Sequence, residues 1–212
     1  MAPMLRLYED VLSNGADIAL PAMPRMIFVV HGSVEAAGRT WRDDEAWCGV
    51  AATSVKAGRD GATLWRWELA ARDGSGAAAA PGVVLREKLS ARLDALPKGQ
   101  LLLRGDSVAF PPGGCAYLHR HQGPGIRCLI EGGIRIDAGG HSTAYGPGSP
   151  WYESGPEPVF AQAADRPTRF IRVMVLPLSC LGKSSVEYLR DEDKDKPRTQ
   201  KYKIYGDMPI AD

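Results

Sequence analysis

Glycine and proline punctuate the whole chain, and this feature limits the possible fold more than any other. The 212 residues include 24 Gly and 16 Pro, which are spread along the sequence and not collected in one tract. Such frequent turn formers favour many short strands over long helices. The segments between the turns are rich in β-branched and apolar residues, as strands are: MIFVVHGSVE (26–35), TLWRWEL (63–69), QLLLRG (100–105), SVAFPPG (107–113), IRCLIEGGIRI (126–136) and RFIRVMVLP (169–177). The sequence therefore predicts an all-β protein, either a sandwich or a barrel.

One stretch departs from this pattern. In VVLREKLSARLDAL (83–96) the apolar residues recur at helical spacing, at Val84, Leu85, Leu89, Leu93 and Leu96. The preceding segment, DGSGAAAAPG (73–82), has the low complexity that is typical of a linker. We therefore predict a linker and one short connecting helix over residues 73–98.

The chain also contains an internal repeat. When the sequence is shifted by one hundred residues, FVVHGSVE (28–35) lies on CLIEGGIR (128–135), with Gly32 over Gly132. Each copy is followed by a glycine-containing turn, a tryptophan and a strand of alternating bulky residues. A duplicated β unit is the economical interpretation, although two glycine-turn hairpins in an all-β protein can also align by chance. The predicted division is an N-terminal half (1–72), the linker and helix (73–98), a C-terminal barrel (99–178) and a tail (179–212).

The charge and cysteine content exclude several classes of protein. Lys and Arg number 26 against 25 Asp and Glu, so no broad basic field favours nucleic acid or an acidic membrane as a partner. The four cysteines are widely spaced and form no CxxC pair, as expected for free thiols in a reducing compartment. The N-terminus lacks the pattern of a secretory signal, and no stretch approaches the roughly 18 apolar residues of a membrane span. We therefore expect a soluble cytoplasmic protein that acts on a small molecule.

Two histidines one residue apart form the first candidate site. They occur in YLHRHQGPGIRCLIEGG (117–133), as His119 and His121. On a strand, residues i and i+2 point to the same face, so both imidazoles can reach one metal ion. A transition metal takes three or four protein ligands, or about three and water in a catalytic site. The pair therefore needs a further ligand, and without one it is a pair of partly exposed or hydrogen-bonded histidines.

The frame around this pair resembles the first motif of the cupins, which are small jelly-roll (RmlC-like) barrels. Gly113, His119, His121 and Gly132 fall at the spacing of that motif, and Gly148 matches the start of the second one. The resemblance covers most of residues 100–177, and the repeat extends it to about 20–70. It implies tandem cupin barrels, a bicupin.

Four metal-ligand positions depart from the cupin pattern. The usual glutamate ligand corresponds to Gly125, and the histidine of the second motif corresponds to Val159. In the first repeat the two histidine positions are Ala19 and Pro21. Any metal therefore belongs to the second half of the chain.

The resemblance also implies a replacement ligand. Glu153 lies on the hairpin that faces the histidine pair in cupins, and Glu131, which we expect at the barrel rim, is the second choice. Two imidazoles and one carboxylate form the facial set of non-haem iron sites, and manganese, nickel or zinc are also compatible. We therefore expect one divalent transition metal, bound by His119, His121 and Glu153.

Arg127 indicates what else the pocket binds. It lies two residues after Gly125, so strand alternation places both on the inward face. A buried guanidinium is stabilised by an anionic partner, which is either a carboxylate or enolate substrate or an internal ion pair with Glu131 or Glu153. Trp151 and Tyr152 are interpreted as walls of the pocket, although aromatic residues more often belong to the core. The predicted catalytic residues are Arg127 and Glu153, and the predicted substrate-binding residues are Arg127, Trp151 and Tyr152.

Two functions follow. The preferred one is a metal-dependent cupin enzyme for a small oxygenated, aromatic or carboxylate metabolite, for which the resemblance allows dioxygenase, isomerase, decarboxylase or cyclase chemistry. The alternative is a metal-free cupin that binds or senses a small ligand. The tail carries Tyr188, Tyr202 and Tyr205 and is expected to dock on its own barrel or on a second subunit, since the resemblance favours a homodimer.

Overall fold

A computed structural model describes residues 2–71 and 77–210 of the chain. The chain divides into two compact units, residues 1–94 and residues 95–212. No helix within the described ranges is long and apolar enough to cross a membrane.

The first unit is a single antiparallel sheet. Its strands are β1 (Met4–Leu12), β2 (Asp17–Leu20), β3 (Arg25–Ala36), β4 (Arg39–Arg42), β5 (Ala46–Gly49), β6 (Thr53–Ala70) and β7 (Val83–Arg92). The main strand order is β4-β3-β6-β1-β7, while β2 pairs with β6 and β5 pairs with β3. A core of aliphatic side chains, among them Leu12, Ile27, Val29 and Leu64, fills its concave interior.

The predicted helix over residues 83–96 is wrong, because Val83–Arg92 forms strand β7 against β1. A bulge explains the misleading spacing. Leu89 lies opposite Leu7 and Glu87 lies opposite Tyr8, so Lys88 is an extra residue that reverses which face the later side chains point to. Apolar residues are therefore needed on both faces of β7, and their spacing imitates a helix. The predicted linker falls partly on residues 73–76, which lie outside the described residues.

The second unit consists of two antiparallel sheets. Its strands are β8 (Leu101–Phe110), β9 (Cys115–His121), β10 (Gly125–Glu131), β11 (Ile134–Ala138), β12 (His141–Tyr145), β13 (Pro150–Glu153), β14 (Val159–Ala163), β15 (Thr168–Pro177), β16 (Val186–Tyr188) and β17 (Lys201–Ile210). One turn of 3-10 helix (Leu178–Cys180) and α1 (Asp191–Lys194) lie in the tail, and α1 is the one α-helix of the described residues. The sheets have the orders β13-β10-β15-β8-β17 and β12-β11-β14-β9-β16, and the apolar core between them includes Val108, Leu129, Ile136 and Phe170.

The tail completes both sheets of this unit. Strand β17 pairs with β8 from Lys201 opposite Ala109 to Ile210 opposite Leu101, and β16 pairs with β9. Of the two alternatives for the tail, the structure has the one in which it docks on its own barrel. The compact unit therefore runs from residue 95 through the tail, whereas the sequence placed the barrel at 99–178.

Candidate metal site

The two histidines lie side by side at the inner end of β9. The Nδ1–H of His119 donates to the Tyr117 carbonyl at 2.7 Å, because a carbonyl oxygen can only accept. The His119 Nε2 atom is therefore unprotonated, and it lies 3.3 Å from Nε2 of His121. Both side chains are buried, and burial lowers both pKa values, that of His121 to about 3. At neutral pH both imidazoles are uncharged and able to bind a metal.

Glu153 supplies a carboxylate that Gly125 cannot. A Cβ at Gly125 would approach the backbone oxygen of Val173 to 2.5 Å, so no side chain fits at the usual glutamate position without a shift of the backbone. Strand β13 places Glu153 directly opposite Gly125 in the β10 ladder, with its Oε2 3.3 Å from Nε2 of His121. The missing carboxylate is thus replaced from the neighbouring strand. The missing histidine is not replaced in this way, since Val159 lies opposite His119.

Arg127 forms an ion pair with Glu153. The guanidinium is 1% exposed, donates to the Gly125 carbonyl at 2.7 Å and lies 2.8 Å from Glu153 Oε2. Burial lowers the pKa of Arg127 to about 10, opposed by the Glu153 charge, so the guanidinium remains cationic at neutral pH. Burial alone would raise the pKa of Glu153, but Arg127 holds it well below its usual range. Of the two internal partners considered for Arg127, Glu153 is the one found, while the exposed Glu131 pairs with Arg169 at 3.3 Å.

The two aromatic residues have different surroundings. Trp151 stacks on Tyr145 with centroids 4.8 Å apart and meets the edge of Phe170, so it belongs to the core. Its Nε1–H donates to Glu153 Oε1 at 2.8 Å, which fixes the carboxylate. Tyr152 is half-buried, and both aromatic residues line a cleft of about 190 Å³ beside Glu153. We call this cavity, at the β12–β13 edge of the barrel, the outer cleft.

The inner cavity at the histidines is much smaller. It has a volume of about 20 Å³ and is bounded by His119, His121, Arg127 and Glu153, among others. One water-sized volume is about 10–15 Å³, so the inner cavity can hold a water molecule or a metal ion but no organic compound. An organic ligand therefore requires the outer cleft or a rearrangement of the inner cavity.

The sequence analysis missed a second ion pair in the barrel. Arg172 of β15 binds Asp106 of β8 through two hydrogen bonds, at 2.6 and 3.0 Å, and both residues are buried. Arg172 lies opposite Arg127 and also bounds the inner cavity. The sequence feature that could have revealed this ion pair is Arg172, a charged residue at an inward position of the apolar strand RFIRVMVLP (169–177).

The distances fit a metal ion in part. Two nitrogen or oxygen ligands that are each about 2.1 Å from one ion lie roughly 3–3.5 Å apart, and both measured separations, from His121 to His119 and to Glu153, are 3.3 Å. The tautomer of His119 also fits, because a metal-binding imidazole commonly donates its other N–H to a carbonyl. However, the described residues include no group of three or more His, Cys, Asp or Glu side chains that could hold a metal ion. The residues present can thus supply two imidazole ligands to a metal ion, and a third ligand position stays open. That position lies next to the Glu153 carboxylate, which Arg127 also binds.

The two five-stranded sheets around this site define a cupin-fold protein. No family model and no curated protein matches the sequence. Among solved structures, the R92A mutant of oxalate decarboxylase from Bacillus subtilis matches with a TM-score of 0.65 and 13% identity, over 91% of this chain and 73% of that chain. The DEL162-163 mutant of the same enzyme gives a TM-score of 0.63 and 14% identity over the same shares. A cupin 2 conserved barrel domain protein from Leptotrichia buccalis gives 0.51 and 12%, over 82% of this chain and 84% of that chain. The predicted cupin fold is confirmed, and at these identities the likeness shows the fold alone.

Proposed function

We propose that the protein is a cupin-type metalloenzyme in which His119 and His121 bind one divalent transition metal, with Glu153 or water as the next ligand. The observation that carries this proposal is the position of Glu153 opposite Gly125, which directs a carboxylate to the histidine pair. The identity of the ion is open among iron, manganese, nickel and zinc. When bound, such an ion supplies Lewis-acid polarisation of a substrate oxygen and, if it is redox-active, oxygen chemistry.

The protein's own residues divide the remaining work. Trp151 holds Glu153 by one hydrogen bond, so the carboxylate keeps its position beside His121. The Arg127 guanidinium balances that carboxylate and is the cation nearest to it, and in the proposal it orients a carboxylate substrate. Tyr152 and Trp151 bound the outer cleft, where the organic part of the substrate would lie. The names of the neighbouring enzymes support a small carboxylate such as oxalate as the first compound to test.

Metal content tests the proposal directly. Elemental mass spectrometry on protein purified without a histidine tag is expected to find close to one transition metal per chain in the wild type and almost none in His119→Ala/His121→Ala. The matched control is His31→Ala/His141→Ala, which removes the other two of the four histidines, both exposed, and should retain the metal. Little metal in all three proteins after reconstitution with iron, manganese, nickel or zinc would refute the metalloenzyme.

One observation favours the second candidate, a metal-free cupin that binds a small ligand. Arg127 already neutralises Glu153, so the inner site is balanced in charge without an ion. In that case an anionic ligand would bind wild-type protein treated with a chelator as tightly as untreated protein.

We further propose that the protein acts on its small-molecule substrate as a homodimer in the cytoplasm. The wide spacing of the four cysteines, without a CxxC pair, supports a reducing compartment. The edge strand β17, in which half of the residues are exposed, supports a partner subunit. Light scattering coupled to size exclusion would contradict the dimer if it gave the mass of one chain at all concentrations.

A further inference from the structure

A third cavity lies at the other edge of the same barrel. Strands β17 and β16 are the last strands of the two sheets, and the cavity opens between β17, β8 and the loop at 182–185 that leads into β16. Its volume is about 230 Å³. Four cationic side chains line it, Arg104, Arg172, Lys183 and Arg198, whereas Asp106 is the one acid among its described lining residues. We call this cavity the basic pocket.

The wall of the basic pocket is rigidly built. Arg104 donates to both carboxylate oxygens of Asp207, at 2.6 and 2.7 Å, and to the carbonyls of Cys180 and Lys183, each at 2.6 Å. The backbone N–H of Gly182 also donates to Asp207, at 2.9 Å. These bonds tie the loop and β17 to β8, so the pocket exists before any ligand binds.

The charges in the basic pocket do not balance. Asp207 neutralises Arg104 and Asp106 neutralises Arg172. Lys183 and Arg198 are exposed, and neither forms an ion pair with a described residue. Arg198 is held near the site by stacking on the ring of Tyr188, at 5.2 Å from its centroid. Two positive charges therefore remain for an external anion.

Two hydroxyl groups complete the polar lining. Ser185 is 2% exposed, and the one hydrogen bond of its Oγ among the described residues is to the Sδ of Met174, at 4.0 Å, which is a weak acceptor. The Oγ of Ser184 accepts from the Val186 N–H at 3.2 Å, which leaves its own proton available to donate. A buried hydroxyl without a strong acceptor is costly, and an anion in the pocket would accept from it.

The basic pocket also adjoins the inner cavity. Arg172 and Tyr202 line both, with the guanidinium 5.8 Å from the centre of the ring. The barrel thus has one cavity at each edge. The outer cleft lies beside β12 and β13, and the basic pocket lies beside β16 and β17. The side chains of Arg172 and Tyr202 therefore lie between the basic pocket and the inner cavity.

We propose that the basic pocket is a second binding site, which takes a small organic anion with a carboxylate or phosphate group through Lys183, Arg198 and the two serine hydroxyls. Its volume is below the roughly 300–1,000 Å³ of pockets for drug-sized ligands, so it suits a metabolite of a few carbon atoms. The cations and hydroxyls that bind the anion are not those that hold the proposed metal. The site therefore does not depend on the proposed function.

Calorimetric titration with two probes tests the site. Succinate and inorganic phosphate are titrated separately, at constant ionic strength in chloride, up to about 10 mM so that a site with a millimolar Kd is occupied. Lys183→Ala/Arg198→Ala is expected to weaken binding about tenfold or more, because charge-assisted hydrogen bonds are lost. The matched control is Arg190→Ala/Lys201→Ala, which removes two exposed cations that do not line the pocket and should bind like the wild type. Binding of succinate alone, phosphate alone or both, each sensitive to the first pair, supports an anion site and tells which group it prefers.

Three outcomes would overturn the inference. The first is that neither probe binds the wild-type protein. The second is that both double variants weaken binding equally, which would show a general effect of net charge. The third is that His119→Ala/His121→Ala abolishes binding while Lys183→Ala/Arg198→Ala does not, which places the anion at the inner site and leaves the proposed function standing.

Discussion

Glu153 is the residue on which the chemistry of the inner site depends. It contacts His121, Arg127 and Trp151 at once, and each partner constrains it differently. Arg127 keeps it ionised, Trp151 fixes one of its oxygens, and His121 competes with the guanidinium for the other. The sequence suggested Glu153 both as a metal ligand and as a partner of Arg127, but it could not predict that one oxygen of Glu153 faces both His121 and Arg127.

Replacing Trp151 with Phe should loosen Glu153 without emptying the core. The phenyl ring can keep the stacking on Tyr145, while the hydrogen bond to Glu153 Oε1 is lost. Losing an indirect partner of a metal ligand weakens metal binding by roughly 10- to 100-fold. We expect Trp151→Phe to weaken metal binding by a factor in that range, as measured by competition with a fluorescent chelator.

Trp47→Phe is the matched control for this prediction. Trp47 packs against the core of the first unit, whereas the proposed metal ligands belong to the second. Its replacement should leave metal affinity unchanged. If Trp151→Phe also leaves it unchanged, Glu153 is not a ligand.

At the scale of elements, the sequence predicted strands well where a turn follows at each end of the strand. The hairpin of β10 and β11 was read from IRCLIEGGIRI, and the glycine at its turn has the expected special conformation. Gly132 has φ +83°, and its predicted counterpart in the first unit, Gly32, has φ +87°. Strand β7 was misread because a bulge at Lys88 breaks the two-residue period. Bulges arise from pairing with another strand, so a local pattern cannot reveal them.

These hairpin turns should tolerate alanine poorly. At Gly132 a Cβ would collide with Oγ1 of Thr168, a contact added to the cost of about 1–2 kcal/mol for a positive φ. Overpacking of this kind costs about 1–3 kcal/mol more. We expect Gly132→Ala to lose roughly 2–5 kcal/mol in the free energy of unfolding by urea. Gly113→Ala, at φ +65° with open space around the position, should lose only about 1–2 kcal/mol, and equal losses would contradict the argument.

At the scale of the molecule, the two units share one internal feature and differ in another. In both units an arginine of the central strand binds an aspartate of the next strand, Arg66 with Asp10 in the first and Arg172 with Asp106 in the second. Arg172 lies directly opposite its aspartate, whereas Arg66 lies opposite Tyr8, two residues from Asp10. The matching positions of the two arginines favour the predicted duplication, although their aspartates lie two residues apart in the pattern. The strand positions that hold Gly125 and Met174 in the second unit hold Arg25 and Glu68 in the first, where they form an ion pair at 3.0 Å.

The sequence places the candidate metal site in the second half of the chain, because only that half has the histidine pair. It could not predict that the tail supplies edge strands to that half. Pairing partners for KYKIYGDMPI are specified by an open strand edge on β8 that exists only in the folded barrel.

The buried histidines should make the stability of the whole chain sensitive to acid. Burial lowers the pKa of His121 from 6.5 to about 3 in the folded state, so between those values the unfolded chain binds more protons than the folded one. The contribution of His121 to the free energy of unfolding is therefore fully present above about pH 6.5 and is lost as the pH falls toward 3. One such group contributes a slope of about 1.4 kcal/mol per pH unit. For metal-free protein, we expect the urea unfolding free energy of the wild type to fall between pH 6 and pH 5 more steeply than that of His121→Gln, by about this amount.

The comparison between slopes, rather than between absolute stabilities, makes this prediction decisive. His121→Gln changes packing at every pH, but it removes only one group that titrates between pH 5 and pH 6. The carboxyl of Glu153 has a pKa lowered below its usual range, so it stays ionised in both states over most of this interval and adds little to the slope. If the two slopes agree, His121 is protonated as easily in the folded protein as in the unfolded chain, and the imidazole pair is then too exposed to solvent for the closed inner site described above.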